Sequence, residues 1–392
     1  MIATMKVLMV TTAYKRYDGD VITPWLTELI LRLRDKKINV EVFTSSYKGL
    51  RDQTVDGVKV HRFRYSPKTL ENLTHDETVA DKLSHSPFSL ILILFYMIAG
   101  TWSIVHLVKR EKYDIVHVHW PFPHIIFGAS ARIAGKIRLF STFYGLEIRW
   151  FTKKFRWLAK LLAILVNKSD MITAISTHTR TELEKYIKKE IKIMPFSAAV
   201  PERKVSIKDN KNILFVGRIV ERKGIKFLIK AFAEIKDEIA HNLLIVGDGP
   251  ERPSLEKLVD RLGLHPRVHF TGWISADEKL QHYETCSFFV LPAVYDKQGD
   301  IEGLGVVLIE AMSCHKPVIA SKAGGITDIV EDGVNGLLVP PGDVKALSDA
   351  IRRFAKDTDL CKRMGEQARK IIDEKFNWNR IISNLISLYR EV

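Results

Sequence analysis

The stretch Glu302-Gly303-Leu304-Gly305-Val306-Val307-Leu308-Ile309-Glu310-Ala311-Met312 decides the reading of this chain, together with the segments that follow it. Those are Lys316-Pro317-Val318-Ile319-Ala320-Ser321, then Ala323-Gly324-Gly325-Ile326, then Gly336-Leu337-Leu338-Val339-Pro340-Pro341-Gly342-Asp343. An apolar helical run, a short buried strand, a glycine turn, another strand and a Pro-Gly loop follow in the rhythm of an α/β domain. One carboxylate precedes the Gly-x-Gly turn, and a second lies eight residues later in the helical run. A turn of that kind leaves backbone N–H groups unpaired at a helix N-terminus, where the helix dipole also favours anionic groups. Carboxylates repel a bare phosphate but accept hydrogen bonds from hydroxyls. A ligand carrying both phosphate and many hydroxyls suits the combination, and a nucleotide sugar is such a ligand.

Outward from this stretch the same alternation covers the chain. In the first half, strands are read at 6–12, 40–44, 58–64, 115–120, 138–143 and 171–175, with helices at 24–33 and near 125–137. A boundary falls at 195–210, where Pro195, Pro201 and a charged stretch interrupt the periodic segments. The second half starts afresh with strands at 212–217, 243–247, 268–270 and 288–291. Each half reads as a doubly wound parallel sheet, whose ligands belong beyond the C-terminal ends of the strands.

Phe215-Val216-Gly217-Arg218-Ile219-Val220-Glu221-Arg222-Lys223-Gly224 puts cations just past a strand. Arginine offers a bidentate fork to phosphate and lysine a mobile point charge. Taken with the EGLGVVLIEAM run, KPVIAS, GGI and NGLLVPPGD, this block resembles the donor-site region of retaining glycosyltransferases of family 4. The resemblance runs through nearly the whole chain. It implies a GT-B fold, with two facing Rossmann-like doubly wound domains and an interdomain cleft. Residues 1–199 would bind the acceptor, with a C-terminal helix at 376–392 returning to them, and residues 200–375 would bind the nucleotide-sugar donor.

The resemblance also assigns roles. Glu302 and Glu310 take the places of the spaced glutamates, Glu302 against the transferred sugar and Glu310 on the ribose hydroxyls. Arg218 and Lys223 hold the donor diphosphate and, with Glu302, form the catalytic set. The N–H groups of Gly303, Leu304 and Gly305 meet sugar hydroxyls or the distal phosphate. Gly19, in Tyr17-Asp18-Gly19-Asp20, stands where the family has a Gly-Gly turn near the donor phosphates. Thr142-Phe143-Tyr144-Gly145-Leu146-Glu147 matches a block that often reads Thr-x-His-Gly-x-Asp. Tyr144 thus replaces a histidine and Glu147 an aspartate. Tyrosine is a poorer proton shuttle near neutral pH, so both residues are read as substrate contacts.

Other chemistries fit less well. On one helix the two glutamates would stand ~12 Å apart, beyond the ~5–9.5 Å of glycoside hydrolysis. Gly247-Asp248-Gly249-Pro250 lacks the third glycine of a dinucleotide fingerprint. His117, His119 and His124 are read as structural, and no Asp-x-Asp metal pair stands out. No metal or cofactor is therefore expected, in line with a family that uses cations in the metal's place. The alternatives to a glycosyltransferase are a sugar-nucleotide epimerase of similar architecture and a catalytically silent sugar-nucleotide-binding protein.

Composition bounds the partners. The net charge is +14 in 392 residues, and it is lopsided. Residues 1–200 carry 31 Lys and Arg against 18 Asp and Glu, whereas residues 201–392 carry 29 against 28. No nucleic-acid motif accompanies the basic half, so a membrane surface and a lipid-linked or glycan acceptor are the expected partners. Three scattered cysteines and no signal-peptide pattern point to a cytoplasmic enzyme, peripheral at the inner face of the membrane. The apolar run 88–108 is long enough to span a bilayer at ~20 residues. Its Gly100, Thr101, Trp102, Ser103 and His106, and its place inside an α/β domain, favour a buried or interfacial helix. The segment 149–168, with Trp150, Phe151, Phe155 and Trp157 among basic residues, reads equally as a packing helix or an interfacial anchor. Uridine is favoured over guanosine in the donor, and the sugar is not specified by the sequence.

Overall fold

A computed structural model of the chain describes residues 5–20, 22–75, 88–145, 147, 156–198, 200, 209–297 and 299–391. Residues 201–208 of the boundary segment, Leu146, and Trp150, Phe151 and Phe155 of the second apolar segment lie outside the described residues. The chain divides into two compact units, Met1–Phe196 with Trp378–Val392, and Ser197–Asn377.

Unit 1 is built on an eight-stranded sheet. Its strands are β1 (Lys6–Val10), β2 (Asn39–Ser45), β3 (Gln53–Val55), β4 (Val58–Phe63), β5 (Ile115–His119), β6 (Arg138–Phe143), β7 (Met171–Ala174) and β8 (Lys192–Ile193), in the order β3-β4-β2-β1-β5-β6-β7-β8. All neighbours are parallel except β3 and β4. That pair turns through Asp56-Gly57, both at positive φ, a combination that suits a two-residue hairpin. The sequence reading took 58–64 as a lone strand and missed the hairpin. The strand order reverses between β1 and β5, so a ligand crevice belongs at their C-terminal ends.

Helices cover both faces of this sheet. Helix α1 (Pro24–Asp35) starts on a proline and buries Leu26, Leu29, Ile30 and Leu33, with Arg32 and Arg34 in its last turn. Helices α2 (Phe88–Arg110), α3 (Pro121–Gly135) and α4 (Arg156–Val166) share an apolar core with Phe43, Phe63, Val116 and Leu139. By length and composition α2 could cross a membrane, yet Leu92, Tyr96, Ile104, Leu107 and Val108 are buried within this unit. A Cβ on Gly100 would stand 2.4 Å from Phe127 Cζ, so the helix is seated tightly. A short α5 (Thr177–Glu184) follows β7, capped by the Ser176 side chain.

Unit 2 carries six parallel strands: β9 (Asn212–Val216), β10 (Asn242–Val246), β11 (Val268–Gly272), β12 (Phe288–Leu291), β13 (Val318–Ser321) and β14 (Gly336–Val339). Their order β11-β10-β9-β12-β13-β14 reverses between β9 and β12. The connecting helices are α6 (Ile225–Ile235), α7 (Arg252–Arg261), α8 (Ala276–Thr285), α9 (Val306–Ser313), α10 (Val344–Lys356) and α11 (Thr358–Lys375). Side chains close the first turns of three of them: Ser275 and Glu278 form a capping box on α8, Asp343 accepts the Ala346 N–H on α10, and Asp357 accepts the Leu360 N–H on α11. Helix α12 (Trp378–Glu391) packs against α1 in unit 1. Its Tyr389 hydroxyl lies 2.7 Å from His117 Nδ1, in the centre of that sheet.

Candidate active site

The loop after β9 and the loop after β12 meet at the reversal of the strand order in unit 2. Residues Glu221–Lys223 form one 3-10 turn, closed by Gly224 at φ 66°. A Cβ on Gly224 would fall 1.9 Å from the Pro292 carbonyl oxygen, so only glycine lets this turn lie against the end of β12. The turn delivers two cations to one carboxylate. Lys223 Nζ lies 2.5 Å and Arg222 Nη1 3.2 Å from Glu302 Oε2. The second oxygen, Oε1, has no hydrogen bond among the described residues. Burial alone would raise the Glu302 pKa, but Lys223 and then Arg222 outweigh it and hold the carboxyl below its usual range.

Helix α9 begins at Val306, so Glu302 lies outside it and the one-helix separation considered from sequence does not apply. Gly305 precedes the helix at φ 92° and provides no side-chain cap. The N–H groups of Gly303, Leu304 and Gly305 donate no hydrogen bond among the described residues. They are the orphan donors that the sequence placed here. Gly324 and Gly325 set the loop's position from the next strand end. Gly325 donates its N–H to the Glu302 carbonyl at 3.0 Å. Cβ atoms on the two glycines would fall 2.2 Å from the Glu302 oxygen and 2.0 Å from the Gly303 oxygen.

Glu310, one turn into α9, is held on both oxygens. Lys279 Nζ donates to Oε1 at 2.8 Å and the Tyr283 hydroxyl to Oε2 at 2.7 Å. Lys279 and Tyr283 are four apart on α8 and therefore share a face. Arg218 stands apart from this network, exposed and with no ion pair among the described residues. Gly247 and Gly249 serve packing: Cβ atoms there would collide with the carbonyls of Gly217 and Ile219, at 2.1 and 2.3 Å. They let the loops after β9 and β10 run in contact, which explains the glycine pair without a dinucleotide.

In unit 1, Tyr144 follows β6 and its hydroxyl lies 2.7 Å from His119 Nδ1. Its ring packs at 4.6 Å from Trp120 and 4.7 Å from Trp25, giving an aromatic cluster at the reversal of the strand order. Glu147 Oε1 accepts the Tyr144 N–H at 2.8 Å, while its buried Oε2 has no partner among the described residues. Burial pushes this carboxyl up to about 7. His117 lies between Tyr389 and Thr142, and His124 between Tyr96 and the Trp120 carbonyl. Burial lowers the pKa of all three histidines, to about 3 in His119 and about 4 in His124, so they are neutral. Each histidine has its own partners, and among the described residues none converges on another with acidic or thiol ligands. Gly19, at φ 86°, closes a turn in which Asp20 donates its N–H to the Tyr17 carbonyl.

Two family models together match most of the chain. Residues 24–195 match Glycosyltransferase Family 4, and residues 199–371 match Glycosyl transferases group 1. The chain belongs to the family-4 glycosyltransferases. The N-acetyl-alpha-D-glucosaminyl L-malate synthase of Bacillus anthracis is 28% identical over 76% of this chain and 80% of its own. A GDP-mannose-dependent alpha-(1-6)-phosphatidylinositol monomannoside mannosyltransferase of Mycobacterium tuberculosis is 27% identical, over 72% of this chain and 77% of its own. Among solved structures, Anabaena HepE in complex with UDP and glucose superposes with a TM-score of 0.72 at 21% identity, covering 99% of this chain and 100% of that one. That likeness establishes the GT-B fold.

Within this glycosyltransferase the structure brings Lys223 to Glu302 and sets Glu310 on the same loop–helix unit. It adds residues that the sequence reading left out. Arg222 precedes Lys223 in the same turn and shares its carboxylate, although the sequence drew attention to Arg218. Lys279 and Tyr283 hold Glu310, and their i, i+4 spacing was the available signal. Trp25 and Trp120 surround Tyr144 from segments remote in sequence, and nothing local announced them.

Proposed function

We propose that this glycosyltransferase moves a sugar from a nucleoside diphosphate sugar, UDP-linked in preference to GDP-linked, to a lipid-linked or membrane-associated glycan acceptor. The transfer retains the anomeric configuration, uses no metal ion, and takes place at the inner face of the cytoplasmic membrane. The observation that carries this reading is Glu302. Its Oε2 is fixed by Lys223 and Arg222, while Oε1 and the N–H groups of the next three residues have no hydrogen bond among the described residues.

That arrangement suits a transferred sugar whose hydroxyls reach Oε1 and the Gly303–Gly305 amides. As the sugar–phosphate bond breaks, positive charge grows on the sugar and negative charge on the leaving diphosphate. Glu302 stabilises the first and Lys223 with Arg218 the second, more strongly in the transition state than before it. Arg218 is exposed and unpaired among the described residues, so no ion pair has to be broken before it meets a phosphate. The ribose hydroxyls fall to Glu310, displacing Lys279, the more exposed of its two partners. Tyr144 and Glu147 contact substrate in unit 1. The leaving phosphate oxygen assists deprotonation of the acceptor, so no enzyme nucleophile is required.

Relatives bear on donor and acceptor by their names alone. One is named for GDP-mannose and phosphatidylinositol monomannoside, another as an N-acetyl-alpha-D-glucosaminyl L-malate synthase, and HepE was crystallised with UDP and glucose. The test is transfer itself. Purified protein is incubated with UDP-glucose, UDP-N-acetylglucosamine or GDP-mannose and a bacterial lipid extract, and the product linkage is read by NMR. An α-linked glycolipid from an α-linked donor, formed equally in EDTA, is expected. A β-linked product, or activity that EDTA abolishes, would contradict the proposal.

A further inference from the structure

Helices α2, α3 and α4 lie side by side over one face of the unit 1 sheet, and their inner faces fill one apolar core. The outer faces of α2 and α4 are apolar too. On α2, Ile91, Phe95, Ile98 and Trp102 recur at three- and four-residue intervals, and each is more than half exposed. On α4, Trp157, Leu161 and Ile164 form a second stripe of the same kind, at 71%, 51% and 57% exposure. Two exposed apolar stripes, on helices that both pack against α3, mark an interaction site.

Charge indicates the partner. Residues 88–168 hold twelve Lys and Arg against three Asp and Glu, so most of the positive surplus of the first half lies in this segment. Each of the three helices leads into a parallel strand, which sets their C-terminal ends at one end of the layer. Exposed Lys109, Arg110, Lys136 and Lys168 fall there, and Lys160 lies within the α4 stripe. Apolar stripes bearing tryptophan, bordered by lysine and arginine whose heads can snorkel, match a bilayer interface with anionic headgroups.

We propose that the outer faces of α2 and α4 form a bilayer-docking surface that holds unit 1 in the plane of the membrane interface. Phe95, Ile98, Trp102 and Trp157 enter the acyl boundary, and Lys109, Arg110 and Lys160 meet lipid phosphates. Helix α2 lies along the membrane and does not cross it. Its inner face is committed to the protein core: Gly100 presses on Phe127, and the Tyr96 hydroxyl lies 3.0 Å from His124 Nε2. Apolar insertion, in addition to basic charge, is what anchors the protein, so part of the binding survives salt. This deepens the membrane component of the proposed function and is independent of its donor.

The experiment is flotation of the full chain with vesicles of phosphatidylcholine, with and without phosphatidylglycerol, in the absence of nucleotide. Wild type is expected to float with the anionic vesicles and to shift its tryptophan emission to the blue. Phe95→Asp with Ile98→Asp should cut vesicle partition by at least about tenfold with unchanged circular dichroism. Lys109→Glu with Arg110→Glu should remove the preference for phosphatidylglycerol while leaving weak binding to both vesicles. Four results would overturn the proposal. Wild type could fail to float, or the double aspartate variant could float as wild type does. A soluble dimer dissociated by that variant would assign the face to a second copy. Resistance of membrane-bound protein to carbonate extraction would make α2 a span. Loss of flotation with nucleotide binding intact would leave the donor reading standing, and the reverse result would remove the donor reading alone.

Discussion

Lys223→Ala tests how the proposed donor site is held before any ligand arrives. The lysine ammonium lies 2.5 Å from Glu302 Oε2, and both side chains are nearly buried, at 10% and 13% exposure. Removing one partner of a buried ion pair costs ~3–5 kcal/mol when the other is left uncompensated. Here Arg222 remains 3.2 Å away but is 31% exposed, so it compensates in part. The expected loss is about 2 kcal/mol, which for a unit of this size lowers Tm by about 4–8 °C. The pH dependence follows in sign. Glu302 is held below its ordinary pKa of 4.5, so its contribution to stability is present above that value and is lost as pH falls through the depressed native pKa. In Lys223→Ala the native pKa rises, so less stability is left to lose and the acid-dependent decline becomes smaller. Lys223→Arg should restore most of the stability. Turnover measured well below Tm should fall about 100-fold in Lys223→Ala, with a much smaller change in donor affinity. A Tm within about 1 °C of wild type, together with unaltered turnover, would refute the reasoning.

Glu147 gives a prediction of the opposite sign. Its native pKa of about 7 exceeds the unfolded value, so unit 1 loses stability as pH rises from about 4.5 to 7 and levels off above. Glu147→Gln should remove that decline and gain roughly 3 kcal/mol on wild type at pH 8, read from denaturant midpoints at pH 5 and pH 8; parallel pH profiles would contradict it. Gly325→Ala should drive a methyl into the Gly303 carbonyl and shift the Glu302 loop, costing about 1–3 kcal/mol. Its donor affinity should fall with the helix content retained, and normal affinity would show that the glycine pair does not position the loop.

Much of the fold was legible because both sheets are nearly all parallel. Buried strands such as Ile213–Val216 and Leu243–Val246 appear as unbroken apolar runs, and the helices between them keep a single apolar face. The hairpin at Asp56-Gly57 was missed because β3 is only three residues long and its Gln53-Thr54-Val55 carries no run. Candidate site residues stood out in the sequence where their pattern is local: the Gly-x-Gly turn, its two glutamates and the Lys-Gly turn all lie in short segments. Close approaches of backbone to backbone are not local. Gly325 against Gly303, Gly224 against Pro292 and Gly249 against Ile219 each join two loops, and a single sequence marks them only as glycines. Arg222 was passed over in favour of Arg218 because spacing along a chain does not say which way a 3-10 turn points its side chains. The face of α2 was ambiguous for a related reason. A helix apolar all round has no period to separate its buried side from its exposed one.

The central claim is that Glu302, Lys223 and Glu310 frame a nucleotide-sugar site in unit 2. Titration calorimetry of UDP and of GDP, each into wild type and Glu310→Ala, tests it most directly. The account predicts that one nucleotide, UDP by preference, binds wild type and that the substitution weakens it by about tenfold, the value of a charged hydrogen bond to ribose. Binding that Glu310→Ala leaves unchanged, or no binding of either nucleotide to wild type, would contradict it.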